Sequence, residues 1–497
     1  MATASSNALS VLFLELNETE RYWIDKFVAA GKLPVFRRLF EGGACLRTSI
    51  PEFDPVAERA WRTITPWIIW PSVYTGMKPR EHGIIAFGQD TASIQGRCVW
   101  DVLDKAGIST GVFGSLLSFP PRNAGSASFY VPESLADDPD CFPAEARPVQ
   151  EFSVFTSRNY SESFARQYVE ATRLLLGSMR SGVRPATVLR TLLQIPREMV
   201  QGDATVPERA MIQSYILTDA FKRLYATHRP RFATLHLNNV AYMQHRYWRA
   251  AEPDRFRDAL SLTDQRFFDS VGKRRDYEQR FAGWIERSLI WTDGLLEELL
   301  ALAGRDAILL LGTALGQKPH DPVHEIHNPV VRLVHEAELF AALGFPKAKV
   351  LTQMNPDVSL TLGDEAEAER AAEVMRGLYV HPGTPLFEVD RRGPQVFLEL
   401  LMPRREQGAT LPPIRHATLT AFEAPFDRHV HEHPTNDQST AQHDEPGFLL
   451  AYSAGRRLEQ LRPEIPVTDI APTILSWFDI GPQPWMTDAG PPAIRVH

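Results

Sequence analysis

The chain has 497 residues, a net charge of −8, and ordinary shares of hydrophobic (44%) and charged (23%) residues. This composition is typical of a soluble globular protein with either about three average domains or one large α/β domain with insertions. No basic stripe collects the arginines, so we expect no nucleic-acid partner. A small anionic substrate or ligand remains compatible with the charge, because such a ligand needs only a local positive site.

The first residues and the cysteines indicate the cellular compartment in which we expect the protein. Residues 1–10 lack the basic-then-apolar order of a secretory signal, and no apolar run approaches ~18 residues. Three widely spaced cysteines, Cys45, Cys98 and Cys141, match no zinc or CxxC spacing. We therefore expect a cytoplasmic protein without a membrane partner, while its oligomeric state is not indicated.

Strands and helices alternate along the chain. An apolar run at 8–14 without helical periodicity predicts a buried parallel strand, and helical patterning follows over 21–40. Later strands are predicted at 111–114, 232–237 and 307–311. Long helices precede the last two, and the clearest apolar helical face lies at 289–303. This alternation predicts an α/β fold with a doubly wound, mostly parallel sheet flanked by helices, whose ligands bind beyond the carboxyl ends of the strands.

Two stretches interrupt the alternation and predict lobes inserted into one core. The first is mostly helical, and the second predicts a helix, a strand at 358–362, a helix and a hairpin that turns at 390–393. The lobes would either shape access to a substrate or only cover sheet edges. In chain order we predict core at 8–140, a helical insertion at 141–228, core at 229–330, a small α+β insertion at 331–408 and core at 409–497.

Residues 65–84, TPWIIWPSVYTGMKPREHGI, form the most informative motif of the chain. The aromatic–Pro pair, Thr75-Gly76 and the final His-Gly-Ile resemble the catalytic loop of the alkaline phosphatase superfamily, in particular its type I phosphodiesterase/nucleotide pyrophosphatase branch. In that branch a Thr or Ser nucleophile lies ten residues before the glycine, which is Pro66 here. The adjacent Thr65 would reach the pocket after a one-residue slip; alternatively, it only caps the loop.

Further landmarks of the same branch follow in the same order. They are 100–107 with the Pro-rich turn at 118–121, the strand and turn at 232–248, the segment 306–316, His443–Gly447, and Val467–Leu475. The resemblance implies an alkaline-phosphatase-like core. It also implies hydrolysis or transfer of phosphate, or related sulfate and phosphonate, esters between two metal ions that clamp an in-line transition state.

The metal-ligand positions implied by this resemblance are only partly filled. In chain order they fall on Asn17, Ala241, His245, Ala314, Leu315 and His443. The histidines that remain, His245 and His443, would belong to the same site, while the other site has lost its ligands. The resemblance therefore implies one divalent metal ion, zinc or manganese, in a partly kept site that needs a third ligand from elsewhere.

Other carboxylates and imidazoles lie near these positions. Glu15 stands inside an apolar strand, where a charge is expensive unless it has a partner or a function. Glu15 or Glu18 would offer a carboxylate in place of Asn17 if the end of the strand shifted; alternatively, both form a solvated cap at the strand end, which we favour for Glu18. The alternating histidines of His429–His433 would share one face of an extended segment, where they either bind metal or form a polar surface loop.

Three functions remain open at the level of the sequence. The first is a divergent hydrolase or transferase with one metal site. The second is a pseudoenzyme that binds an anionic metabolite or a partner without turnover. The third is different acid–base chemistry in the same cleft, with Glu15, His245 or His443 as the titrating group. The candidate site residues are Thr65 and Glu15 as catalytic groups, Asn17 and Trp70 for the substrate, and His245 and His443 for the metal.

Overall fold

The computed structural model describes residues 8–51, 64–84, 89, 91–122, 125–136, 138–158, 164–259, 271–319, 331–352, 358–401, 411–432 and 440–497. Its strands are β1 Val11–Leu16, β2 Ala44–Ser49, β3 Thr110–Phe113, β4 Ala127–Val131, β5 Phe232–Leu237, β6 Ile308–Gly312, β7 Gly316–Pro319, β8 Val331–Leu333, β9 Lys349–Thr352, β10 Val358–Thr361, β11 Leu378–Tyr379, β12 Phe387–Arg392, β13 Gln395–Leu400, β14 Ile414–His416, β15 Glu423–Ala424, β16 Val430–Glu432, β17 Ala441–Asp444, β18 Gly447–Tyr452, β19 Leu458–Gln460, β20 Glu464–Pro466 and β21 Ile494–Val496.

The α-helices alternate with these strands through most of the chain. They are α1 Arg21–Ala29, α2 Pro34–Gly42, α3 Pro66–Thr75, α4 Pro79–His82, α5 Val99–Lys105, α6 Arg147–Arg158, α7 Phe164–Ser178, α8 Pro185–Gln201, α9 Val206–His228, α10 Asn239–Ala251, α11 Val271–Phe281, α12 Trp284–Ala303, α13 Glu336–Ala342, α14 Glu365–Arg376, α15 Phe426–His429 and α16 Ile470–Ser476. In the described part of the chain, no helix combines the length and the apolar character that a membrane span needs.

The main sheet has eight strands in the order β20-β2-β18-β6-β1-β5-β3-β4. Every neighbouring pair is parallel except the two pairs made by β18, which runs antiparallel to β2 and β6. The predicted α/β fold with a doubly wound, mostly parallel sheet is confirmed. Strand β1 lies in the middle, so its carboxyl end is surrounded by the ends of its neighbours.

Alternate side chains of β1 enter two separate hydrophobic cores. Leu12, Leu14 and Leu16 pack on one face with helices that include α1, α10 and α12. Val11 and Phe13 pack on the other face with α3, α5 and α16. Because successive side chains of a strand point to opposite faces, an all-apolar strand is the pattern that a sheet covered on both sides requires.

Helix boundaries follow local chemistry that the apolar pattern did not reveal. The predicted helix at 21–40 is two helices, since Gly31 adopts φ +73° after α1 and Pro34 begins α2. Gly76 ends α3 with φ +69°, where a Cβ would lie 3.1 Å from the carbonyl oxygen of Thr468. This close approach explains the Thr-Gly pair of the motif.

The two interrupting stretches differ in how they are packed. Helices α6 to α9 contribute to the same core as β1, including Val149, Leu175 and Phe221. The second stretch has its own core around the sheet β12-β13-β10-β9, and this core continues to Val430, beyond the boundary predicted at 408. The expected hairpin is β12–β13, with Gly393 in its turn.

The expectation of one extended segment carrying the alternating histidines was wrong at its start. His429 is the last residue of α15 and is buried, and the following strand β16 begins at Val430. His433 lies outside the described residues.

Candidate metal centre

The chain turns sharply where β1 ends, and this turn presents Glu18 above the sheet. The Asn17 N–H donates to the Leu237 carbonyl on one side (3.0 Å), and the Glu18 N–H donates to the Thr313 carbonyl on the other (3.1 Å). Glu18 itself has φ +50°, a left-handed conformation that costs a non-glycine residue of order 1–3 kcal/mol. The neighbouring strand ends hold the turn in this conformation.

Two histidines converge on the carboxylate of Glu18. His245 on α10 places Nε2 2.8 Å from Glu18 Oε2, and His443 on β17 places Nε2 3.1 Å from the same oxygen. The two rings stand nearly perpendicular, at 82°, with centroids 5.2 Å apart. Among the described residues, these three side chains form a group whose ligand atoms all lie within 4.8 Å of one another.

Backbone contacts orient both imidazole rings. The carbonyl of Ala441 lies 2.8 Å from His245 Nδ1, and the backbone of Ile64 hydrogen-bonds the His443 ring. A carbonyl only accepts, so Nδ1 of His245 carries a proton, and in the neutral ring the lone pair of Nε2 points at Glu18. A lone pair facing a carboxylate is stable only with a proton or a metal cation between them.

The charges of the cluster support one another. Burial by itself raises the pKa of Glu18, but the attraction of His443 and His245 outweighs it and holds that pKa well below the ordinary value of 4.5. Burial lowers the pKa of His443, and Glu18 outweighs this effect, so the pKa lies above 6.5. Without a metal ion, Glu18 therefore favours the protonated form of the His443 ring.

For Glu18 a solvated cap was favoured over a metal-ligating carboxylate, and Gln317 was missed in the sequence. The expected solvated cap was wrong, because Glu18 is only 3% exposed. Gln317 on β7 lies opposite His443 in the β7–β17 pair, and its Nε2 donates to Glu18 Oε2 at 2.7 Å. The available signal for Glu18 was its position directly after the central strand, beside a family ligand position.

The predicted substrate residues Asn17 and Trp70 instead pair with each other in the protein interior. The Trp70 indole N–H donates to Asn17 Oδ1 (2.8 Å), and Asn17 Nδ2 donates to Asn238 Oδ1 (2.8 Å) and to Glu18 Oε1 (2.9 Å). Trp70 is completely buried. The structure therefore brings Asn17 next to the cluster as a support for Glu18, while Trp70 presents no surface to a ligand.

Glu15, predicted as catalytic, lies in a closed network below the cluster. Its oxygens accept hydrogen bonds from Tyr74 (2.8 Å) and Ser115 (2.9 Å), and His236 Nδ1 lies 3.0 Å away. Its carboxylate is completely buried. These partners explain how a charge is accommodated inside an apolar strand.

Thr65, the other predicted catalytic residue, stands at the amino end of α3. Its side chain makes no capping hydrogen bond. Its hydroxyl is buried, and no partner for it is found among the described residues. The preceding residue, Ile64, contacts His443 through its backbone, so Thr65 follows directly on a residue that touches the cluster.

The positions implied for the second metal ion are filled by apolar packing. Ala314 and Leu315 are buried in the core that also contains α3. Pro66 is the first residue of α3 and has no side-chain donor. This half of the family site therefore offers no ligand in the described structure beyond the amide of Asn17.

The fold and the remaining ligand positions define an α/β protein with an alkaline-phosphatase-like core. The family model for Type I phosphodiesterase / nucleotide pyrophosphatase matches residues 22–313, which is more than half of the chain. The chain therefore belongs to this family.

Two solved structures are similar to this chain over most of their length, at low sequence identity. Human ectonucleotide pyrophosphatase/phosphodiesterase 5 is 11% identical, with a TM-score of 0.37 and 96% of each chain covered. Phosphonoacetate hydrolase from Sinorhizobium meliloti 1021, in complex with phosphonoformate, is 16% identical, with a TM-score of 0.32 and 90% of each chain covered. A search of curated proteins gave no match.

Proposed function

We propose that this protein is a phosphate-ester hydrolase with one divalent metal ion, zinc or manganese, held by Glu18, His245 and His443. The convergence of their three ligand atoms within 4.8 Å carries the proposal. Ligand atoms about 2.0–2.1 Å from a tetrahedral zinc ion lie roughly 3.4 Å apart. The observed separations of 2.8 and 3.1 Å would therefore need to open by about 0.6 and about 0.3 Å.

The proposal explains why the site survives the loss of its usual carboxylate. The family position on α10 is Ala241, four residues before His245, and it has no ligand. Glu18 reaches the same histidines from the end of β1 and supplies the missing negative charge. Both histidine side chains keep some contact with solvent, 27% and 23%, so an ion and a substrate have an approach.

Substrate chemistry would take place between the cluster and the amino end of α3. A bound divalent ion supplies Lewis acidity toward a phosphoryl oxygen and leaves a fourth position for the substrate. The amino end of the ten-residue helix α3 favours a negative group there. We assign the nucleophile to the buried Thr65 hydroxyl, and we leave Glu15 out of the chemistry because its carboxylate is enclosed.

Metal analysis and ester hydrolysis on tag-free protein test the proposal. We expect one ion per chain, and hydrolysis of p-nitrophenyl phosphate or its diester that depends on that ion. His245→Ala should lose both properties. Thr65→Ala should keep the ion and lose at least about a hundredfold in turnover, with Thr65→Ser partly active. Protein that neither binds zinc or manganese nor turns over with either ion would overturn the proposal.

The second candidate function is a pseudoenzyme that binds a phosphate-bearing ligand without turnover. The apolar residues Ala314 and Leu315 favour this alternative. They offer no ligand to a second metal ion, and catalysis by two ions needs one ion on the attacking oxygen and one on the leaving oxygen. For the same reason we expect turnover well below that of a family member with all its ligands. Metal-loaded protein that binds inorganic phosphate but hydrolyses neither ester would establish this alternative.

A further inference from the structure

Helix α8 packs on the protein through Val188, Leu192 and two buried polar side chains, while other apolar side chains of the same helix face solvent. Thr187 and Gln194 are buried, and they donate hydrogen bonds to Asp219 (2.5 Å) and to the Thr205 carbonyl (2.8 Å). Leu189 and Leu193, on the opposite side, are 57% and 46% exposed. Because packing of α8 against the protein does not use these leucines, their exposure calls for a partner outside the described fold.

The exposed apolar side chains of α8 follow helical spacing. Leu189, Leu193, Pro196 and Val200 are all exposed and recur at intervals of three or four residues, which places them on one stripe. Met199 flanks the stripe and is also exposed. A helix of 17 residues is about 25 Å long, so the stripe is a continuous edge rather than a single side chain.

The same part of the chain holds most of the exposed apolar residues described. Of the eleven large apolar side chains that are strongly exposed, seven lie between residues 169 and 200. They are Val169, Leu176, Met179, Leu189, Leu193, Met199 and Val200. Single exposed apolar residues are normal on a surface, but this concentration on α7, α8 and their connection is not.

The charge of this segment is opposite to that of the whole protein. Residues 169–200 contain five arginines and two glutamates, a net charge of +3, while the chain carries −8. Arg180 and Arg197 form no ion pair with a described residue, although both are exposed. An anionic partner complements this surface, whereas a second copy docked on the same face would bring like charges together.

We propose that the exposed face of α8, with the adjoining part of α7, docks on an anionic lipid surface. An amphipathic helix lying in the membrane plane buries its apolar stripe at the level of the acyl chains, and flanking arginines reach the headgroup phosphates. The occupant is a bilayer surface without a membrane span. This inference differs from the expectation of no membrane partner, which rested on hydropathy, and it is independent of the metal site.

Vesicle co-sedimentation of the full chain tests the proposal. We expect binding to vesicles of equal parts phosphatidylcholine and phosphatidylglycerol, weakened by added salt, and at least about tenfold weaker binding to phosphatidylcholine alone. Leu189→Asp combined with Leu193→Asp should weaken binding at least about tenfold. The matched control is Ile290→Asp combined with Leu419→Asp, which changes exposed apolar residues elsewhere and should bind like wild type.

Charge reversal gives a second measurement on well-folded protein. Arg180→Glu with Arg197→Glu should weaken binding at least about tenfold, while Lys347→Glu with Arg370→Glu, the same charge change on the other lobe, should not. Equal binding to both vesicle types, or unchanged binding by both the leucine and the arginine variants, would overturn the proposal. A dimer in sedimentation that Leu189→Asp with Leu193→Asp dissociates would assign the face to a second copy instead, and so would also overturn it.

Discussion

Glu15 and Glu18 lie three positions apart at the carboxyl end of the central strand, and both are buried beside histidine. Around Glu15, the hydroxyls of Tyr74 and Ser115 donate to the carboxylate, and the network is complete without any ligand. Around Glu18, two imidazoles face one oxygen, and the second nitrogen of His245 is held by the Ala441 carbonyl. The first arrangement stabilises a charge, whereas the second brings three potential metal ligands together.

The contrast shows that burial of a carboxylate does not by itself indicate a metal-binding site. What distinguishes the two is the partner chemistry: two hydroxyls and one ring nitrogen contact Glu15, while two ring nitrogens contact a single oxygen of Glu18. Solvent access differs in the same direction, since His236 beside Glu15 is 7% exposed and His245 is 27% exposed. Four predictions test this comparison, from the largest expected effect to the smallest.

The same substitution at the two glutamates should affect different properties, zinc affinity at Glu18 and stability at Glu15. Glu18→Gln removes the only anionic ligand of the proposed centre, so the affinity for zinc, measured by calorimetric titration, should fall at least about a hundredfold. Glu15→Gln should leave that affinity within about threefold of wild type and lower stability instead. A similar loss of affinity in both variants would show that the two networks act as one.

Support from Gln317 should matter less than the ligand itself. Gln317→Leu removes the donor to Glu18 Oε2 and should lower the affinity for zinc about ten- to a hundredfold. Gln150→Leu, another buried glutamine but hydrogen-bonded to the Glu133 carbonyl, serves as the control and should leave the affinity unchanged. The idea of a positioning role fails if both variants bind zinc like wild type.

Removal of one donor from the Glu15 network should affect only stability. Burial, together with the neighbouring Glu15 charge, raises the pKa of Tyr74 well above 10.0, so its hydroxyl remains a donor at neutral pH. Tyr74→Phe should lower the free energy of unfolding in urea by about 1–3 kcal/mol and leave zinc affinity unchanged. Tyr452→Phe is the control, with an expected change below about 0.5 kcal/mol. A loss of zinc affinity in Tyr74→Phe would contradict the separation of the two networks.

The smallest expected effect is the pH dependence of the Glu18 cluster. The raised pKa of His443 contributes stability to the metal-free protein below pH 6.5, which is lost as pH rises through that pKa. The lowered pKa of Glu18 contributes stability above pH 4.5, which is lost as pH falls through its folded value. Glu18 and His443 should therefore stabilise the metal-free protein most between pH 4.5 and pH 6.5.

Metal affinity should rise with pH below the raised pKa of His443, because the His443 ring must release its proton to bind the ion. Zinc affinity should rise by less than about tenfold per pH unit, with proton release measurable in buffers of different ionisation enthalpy. Binding without proton release at or below pH 6.5, where the His443 ring is largely protonated in the metal-free protein, would mean that His443 is not a ligand. The Glu18→Gln variant is the control, since its His443 loses the charge that raises the pKa.

Much of the fold was predictable because it depends on local patterns. The strands at 232–237 and 358–361 and the helix before β6 follow from apolar periodicity, and confirmed elements lie within a few residues of their predicted bounds. Errors arose where one backbone feature overrides that pattern, as Gly31 and Pro34 divide the first helical region. His429 was misplaced for the same reason, since alternation of residue types does not reveal a helical turn.

The candidate site was only half predictable. His245 and His443 follow from motif positions, and the structure brings them together as the resemblance implied. Glu18 was weighed as a carboxylate ligand but a solvated cap was favoured, and Gln317 does not follow from the sequence, because their roles depend on a left-handed turn and on the pairing of β7 with β17. No sequence pattern records which side chain such a turn aims at a histidine more than two hundred residues away.

The sequence by itself determined the α/β architecture, the family and the identity of the surviving histidines, since these depend on periodicity and on the order of motifs. Only the tertiary structure decided that Glu18 rather than Glu15 faces His245 and His443, and that Leu189 and Leu193 of α8 face solvent. The physical reason is the same in both cases. The periodicity of a sequence predicts which residues share one face of a helix or strand. Strand register and helix packing determine which other residues, or solvent, that face contacts.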